Sequence, residues 1–230
     1  RAAGIAAAEA TAMGVHWTFA PMVDIARDAR WGRIVEGAGE DPHLGAVMAV
    51  AQVRGYQGDN LRSNTALLAT AKHFAAYGGA ESGRDYNIVS VSERDLWDLY
   101  LPPFEAAVRA GVGTLMASFN EINGTPAHAS DWLMTDVLRR RWNFRGMVVS
   151  DWTGVLELLA HGIGDSVTAA PRALAARVDM EMSSALYRAT LMNELRAGRV
   201  PQAVIDTAVH RVLRVKAAIG LFDDAYRGSC

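Results

Sequence analysis

GMVVSDW, residues 146–152, is apolar from Met147 to Val149 and turns polar at Ser150 and Asp151. A short apolar run after a glycine suits a strand covered on both faces, the habit of parallel sheets. Similar runs lie upstream at 15–25 (VHWTFAPMVDI), 67–78 (LLATAKHFAAYG) and 112–120 (VGTLMASFN), with a weaker one downstream at 176–183 (ARVDMEMS). Helical spacing fills the intervals. It predicts helices over 2–13, closed by Gly14, and over 43–58, with Leu44, Val47, Met48, Ala51 and Val53 apolar. It predicts others over 92–111, capped by Ser92 and restarted at Pro102-Pro103, over 131–142, and over 200–220 between Pro201 and Gly220. Strands alternating with helices argue for an α/β fold built on a parallel sheet. An open doubly wound sheet is the alternative, but no G-x-G-x-x-G follows a strand and no G-x-x-x-x-G-K-[ST] occurs. One (β/α)8 TIM-type barrel needs roughly 250 residues. The 230 residues here suit one slightly short barrel.

Composition narrows the partners. With 23 Lys and Arg against 25 Asp and Glu, the net charge is −2, which does not point to nucleic acid or an anionic membrane surface. No apolar run reaches the roughly 18 residues of a transmembrane helix. The single cysteine, Cys230, excludes an internal disulfide framework. His16, His43, His128, His161 and His210 lack metal-ligand spacing and are expected at the surface or as satisfied core residues. No metal and no cofactor are expected. Trp17, Trp97, Trp132 and Trp142 read as core. The chain starts at Arg1, and RAAGIAAAEATAMG reads as an alanine-rich helix rather than a signal peptide. Both ends are therefore expected to be cut points within a longer protein.

Four predicted strands end in polar residues. They are Asp24, leading to Arg27, Asp28, Arg30 and Arg33; Lys72-His73; Ser118 and Asn120; and Ser150-Asp151-Trp152. In a parallel barrel these edges converge on one mouth. A carboxylate, cations, an imidazole and an indole suit a polyhydroxylated ligand, because charged groups hydrogen-bond vicinal hydroxyls and an aromatic face supports a sugar ring. Burial behind Val148-Val149 should oppose ionisation of Asp151, and Arg33, Lys72 or His73 could offset that cost. A positioned aspartate can attack an anomeric carbon. Asp151 could instead cap the segment TGVLELLAHG, and pattern alone does not separate the two readings. Lys72 and His73 could line the mouth or lie solvated in a loop. Asp24, Asp28, Glu36, Glu40 and Asp41, interleaved with arginines, read as a loop held by its own ion pairs, with one arginine turned to the ligand.

DARWGRIVEGAGEDP, AKHFAAYG, SFNEING and VVSDW, in that order, resemble the N-terminal barrel domain of glycoside hydrolase family 3, of the bacterial periplasmic β-glucosidase type. The resemblance runs from about Gly14 to Tyr226. It implies a retaining β-glycosidase acting on terminal non-reducing β-D-glucosyl residues, with export to the periplasm or medium. It implies Asp151 as the nucleophile and Trp152 flanking the cleaved sugar. Lys72, His73 and Arg33 would bind sugar hydroxyls. β-Xylosidase or β-galactosidase specificity, or a catalytically silent sugar-binding fragment, are alternatives. An aldolase-like barrel with Lys72 as a Schiff-base amine is a rival enzyme reading.

The chain departs from the family pattern in places. Phe119 stands where some members carry tyrosine. The family's first strand, with a sugar-binding aspartate, is expected before Arg1, leaving an incomplete barrel with open sheet edges. Residues 1–222 are read as that partial barrel and 223–230 as a linker toward a C-terminal α/β sandwich domain. That domain would supply the acid/base glutamate, so the acid/base is expected outside this chain. Glu81 and Glu121 lie in loops at the correct edge, but neither is assigned the role. KHFAAYGGAESG lacks the histidine loop of the single-domain β-N-acetylglucosaminidases.

Overall fold

The computed structural model describes residues 1–229. Helix α1 (Ala2–Ala12) and helix α2 (Pro42–Gln57) precede strand β1 (Thr70–Phe74). Then come α3 (Glu93–Asp95), a π-helical turn Leu96–Tyr100, α4 (Pro102–Arg109) and β2 (Thr114–Ala117). A hairpin of β3 (Glu121–Ile122) and β4 (Thr125–Pro126) leads to a π-helix, Trp132–Arg141. The rest is β5 (Met147–Trp152), α5 (Gly154–Glu157), α6 (Ser166–Ala175), β6 (Met180–Met182), α7 (Leu186–Arg196) and α8 (Gln202–Ala218).

The sheet is parallel and four-stranded, in the order β1-β2-β5-β6. Every pairing is parallel, so each strand delivers its carboxyl end to the same edge. This is a TIM-barrel-like α/β fold, but among the described residues the sheet does not close on itself. The expected strand over 15–25 is not continuous. Pro21 has no N–H to give a ladder, and the segment meets the sheet only at the parallel bridges Trp17↔Leu68 and Met22↔Lys72. It still lies beside β1, extending the sheet by an irregular fifth position. Trp17 locks it there by donating Nε1–H to Thr70 Oγ1 at 2.7 Å and Thr114 Oγ1 at 3.0 Å.

Helix α2 forms where its spacing predicts, capped by Asp41, whose side chain accepts the His43 N–H at 2.8 Å. Its buried face differs from expectation. Gly45, Ala49, Val53 and Gln57 face inward, while Leu44, Val47 and Met48 are exposed. The small residues decide the face: a Cβ on Gly45 would stand 2.9 Å from Ile25 Cδ1 and 3.1 Å from Pro103 Cγ, so α2 and α4 approach closely. The helix expected over 92–111 breaks into α3, the π turn and α4, because Pro102 and Pro103 cannot donate N–H groups. Ser92 caps it as expected, accepting the Asp95 N–H at 3.0 Å. Helices α6 and α7, on either side of β6, were not foreseen.

The main core gathers Phe74, Leu101, Phe104, Leu115, Leu133, Leu138 and Val148 between sheet and helices. Asp179, 6% exposed, anchors β6 by accepting from the Val148 N–H, Arg139 and Arg211 at 2.9, 2.8 and 2.6 Å. Residues 221–227 form turns, with Arg62 pairing with Asp223 at 2.6 Å and a buried Arg227 donating to the Ser63 carbonyl. Cys230, the end of the expected linker, lies outside the described residues. No helix among the described residues is long and apolar enough to cross a membrane.

Candidate active site at the carboxyl ends of the strands

The site starts where the apolar pattern of β1 stops. Its register to β2 shifts between Ala71 and Phe74, and Lys72 and His73 fall in that stretch. His73 is buried and Lys72 half-buried, so neither is a solvated loop residue. Beneath His73 lies Asp24, whose side chain is fully buried. Asp24 Oδ2 accepts both the His73 backbone N–H at 2.9 Å and Nδ1 of the ring at 2.8 Å. With Nδ1 committed to Asp24, Nε2 is left to face Asp151 Oδ2, 3.6 Å away.

Asp151 sits at the end of β5 and does not cap a helix. Its Oδ1 accepts the Trp152 N–H at 2.7 Å, and α5 begins after Thr153 without a side-chain cap. Its Oδ2 is buried and has no hydrogen-bond partner among the described residues. Burial pushes the Asp151 carboxyl above the usual 3.8, opposed by His73, the Trp152 N–H, Arg33 and Lys72. One oxygen is therefore held and the other is free, beside groups that favour its charged form.

Arg33 and Lys72 complete the positive side. Arg33 makes a two-pronged ion pair with Glu36 at 2.7 and 2.9 Å, which raises its pKa, and its guanidinium lies 5.5 Å from the Tyr77 ring centroid. Burial lowers the Lys72 pKa, and Arg33 adds to this, while Glu36, Asp151 and Asp24 oppose it. The DARWGR loop is held partly by its own ion pairs, as expected, including Arg30–Asp28 at 2.6 Å. Its anchor is Trp31, 1% exposed, which donates Nε1–H to Asp85 at 2.8 Å. Trp152 is 63% exposed at the rim and offers a free indole face. Tyr77, Tyr86, Phe119 and His128 form an aromatic chain with ring centroids 4.6–6.4 Å apart.

The five residues singled out from sequence, Arg33, Lys72, His73, Asp151 and Trp152, thus share one edge. His73 and Trp152 touch Asp151 directly; Arg33 and Lys72 act on it by charge. Three features escaped the sequence reading. Asp24 stood out as a strand end, but not as the support of His73. His128 accepts the Asp151 backbone N–H at 3.1 Å. Glu121 pairs with His161 at 2.6 Å beside Glu157, whose carboxyl is pushed up by burial. Among the described residues neither Glu81 nor Glu121 makes a hydrogen bond to Asp151. A cavity of ≈ 360 Å³ lies elsewhere, lined by Leu68, Gly113, Phe144, Gly146 and Arg214 near the opposite ends of the strands. Gly113 and Gly146 precede β2 and β5, so that cavity is separate from this edge.

The profile of the glycosyl hydrolase family 3 N terminal domain matches residues 1–215. A periplasmic beta-glucosidase of Salmonella typhimurium is 43% identical over 223 residues, covering 96% of this chain and 29% of that protein. A beta-xylosidase of Formosa agariphila is 39% identical over 230 residues, covering 94% of this chain and 32% of that protein. The crystal structure of a beta-glucosidase from Listeria innocua in complex with glucose superposes with a TM-score of 0.96 at 44% identity, covering 98% of this chain and 32% of that one. The chain therefore spans about a third of the length of these relatives.

Proposed function

Because the chain belongs to glycosyl hydrolase family 3 through its N-terminal domain, we propose that it carries the nucleophile of a retaining β-glycosidase acting on terminal β-D-glucosyl residues. The observation that carries this reading is the pairing of a free, buried Asp151 Oδ2 with His73 Nε2 3.6 Å away. The relatives named as β-glucosidases support glucose as the sugar. The β-xylosidase relative favours a xylosyl unit as the second reading. The name of the Salmonella relative supports periplasmic residence.

In this mechanism Asp151 Oδ2 bonds to the anomeric carbon as the bond to the leaving oxygen breaks. The leaving oxygen keeps the bonding electron pair and takes a proton from a general acid. Water then attacks the same carbon, gives its proton to that group, and restores the carboxylate. His73, Lys72 and Arg33 hold sugar hydroxyls and keep Asp151 charged. Trp152 supports the ring. The proton donor is proposed to lie in the part of the protein outside these residues, as the threefold length of the relatives allows.

Chemical rescue tests the reading in the full-length protein. Asp151→Gly should lose hydrolysis of an aryl β-glucoside, and azide should restore turnover with an α-glucosyl azide as product. A variant that keeps its hydrolysis rate, or azide yielding only the β-configured product, would refute Asp151 as nucleophile.

A further inference from the structure

We propose that His128 is a positioning residue for Asp151: its ring nitrogen accepts the Asp151 amide N–H and fixes the backbone from which the carboxylate projects. The proposal rests on the reading of Asp151 as nucleophile and assigns a second residue to the same step.

The geometry starts with a gap in the ladder. The register of β5 with β2 runs Thr114↔Met147, Leu115↔Val148 and Met116↔Val149, and β2 ends at Ala117. Beyond that point the chain of β2 turns away through Ser118–Asn120, so the Asp151 N–H has no strand partner. A buried N–H without an acceptor is costly. His128 Nε2 takes it at 3.1 Å. Ser150 and Trp152 secure the flanks: Ser150 Oγ accepts the Met182 N–H at 2.7 Å and donates to the Asp151 carbonyl at 2.8 Å, and the Trp152 N–H holds Asp151 Oδ1 at 2.7 Å. The backbone and one carboxylate oxygen are thus fixed, and only Oδ2 is left free.

His128 is suited to accept and not to donate. It is 1% exposed in the turn Ala127–Ala129, directly after the β3–β4 hairpin. Burial holds its pKa down to about 3; the Ser118 backbone works the other way, and the neighbouring His161 adds to the depression. The ring therefore stays neutral, with a lone pair on Nε2 for the amide. Gly154 makes room for it: a Cβ there would stand 2.4 Å from His128 Nε2 and 2.5 Å from Cε1. The turn after the β3–β4 hairpin and a glycine at the start of α5 thus converge beside one backbone N–H of β5.

The test compares His128→Phe, which keeps the ring but removes the acceptor, with His128→Gln, whose amide oxygen reaches the Nε2 position. It uses the full-length enzyme and an aryl 2-deoxy-2-fluoro-β-glucoside as probe. His128→Phe should slow covalent labelling of Asp151 by about tenfold to a hundredfold. Its glucose affinity should stay within about threefold, the signature of a defect in positioning rather than in ground-state binding. His128→Gln should recover most of the rate. Gly154→Ala, which displaces the ring without removing it, should slow labelling in the same way and covers the case in which His128→Phe does not fold. Labelling of Asp151 at an unchanged rate in the folded variants overturns the proposal alone. So does an equal loss with Phe and Gln, or a loss of glucose affinity in step with the rate. Label on another residue overturns the nucleophile reading and this proposal with it.

Discussion

Asp24 holds His73 at two points through one oxygen, accepting its backbone N–H at 2.9 Å and its ring Nδ1 at 2.8 Å. The imidazole is thereby fixed in rotation as well as in place, with Nε2 toward Asp151. Asp24→Ala removes both bonds from a buried group, which should cost about 1–3 kcal/mol of stability. It should also lower kcat/KM by about 10²-fold through loss of orientation. Thermal melts and initial rates on the same samples measure both. Wild-type kcat/KM in a folded Asp24→Ala protein would show that His73 needs no support.

Asp151 sets the expected pH dependence. Burial raises its carboxyl above 3.8 in the folded chain, and only the ionised form attacks. The acid limb of kcat/KM should therefore lie above that of an ordinary aspartate. Removing the opposing imidazole with His73→Phe should move it further up. The stability sign runs the other way from catalysis. A raised folded pKa gives a contribution that is full below the unfolded pKa and is lost as pH rises through the folded one. At neutral pH Asp151→Asn should then be more stable than wild type, as melting temperature would record.

Trp152 separates binding from folding. With 63% of its surface exposed it contributes little to the core. Trp152→Ala should leave the melting temperature unchanged and raise KM by about tenfold, the worth of one aromatic platform. A fall in melting temperature with unchanged KM would assign the indole to the scaffold.

Gly78 tests how the loop above β1 is seated. Its carbonyl accepts the Arg27 N–H at 3.2 Å, and a Cβ on it would stand 2.3 Å from the Ile25 carbonyl oxygen. Neither backbone can give way easily, so Gly78→Ala should cost about 1–3 kcal/mol as overpacking, read from a denaturant titration.

What could be read from the sequence followed burial. GMVVSDW gave β5 because a run that is apolar on both faces has few other fates, and Ser150-Asp151 marked where the sheet opens to the mouth. Lys72 and His73 were visible for the same reason, as polar residues where the apolar pattern stops, whereas Arg33, one of several arginines in a polar loop, was singled out only by the family resemblance. The inner face of α2 was not visible, because Gly45 and Ala49 fit there by being small, which hydropathy does not mark. Helix α6 hid behind Pro171, which argues against a helix interior. His128 was legible only as a surface or satisfied core histidine. Its acceptor role depends on a contact 23 residues away, and Asp24 meets His73 across 49 residues. Such pairings follow from topology and carry no local signal.

The account turns on which atom bonds to the sugar. Full-length enzyme inactivated with an aryl 2-deoxy-2-fluoro-β-glucoside, then digested and sequenced by mass spectrometry, reads that atom's residue directly. The sugar mass on Asp151, within the peptide containing VVSDW, is the predicted result. The same mass on another carboxylate, with Asp151 unmodified, would contradict it.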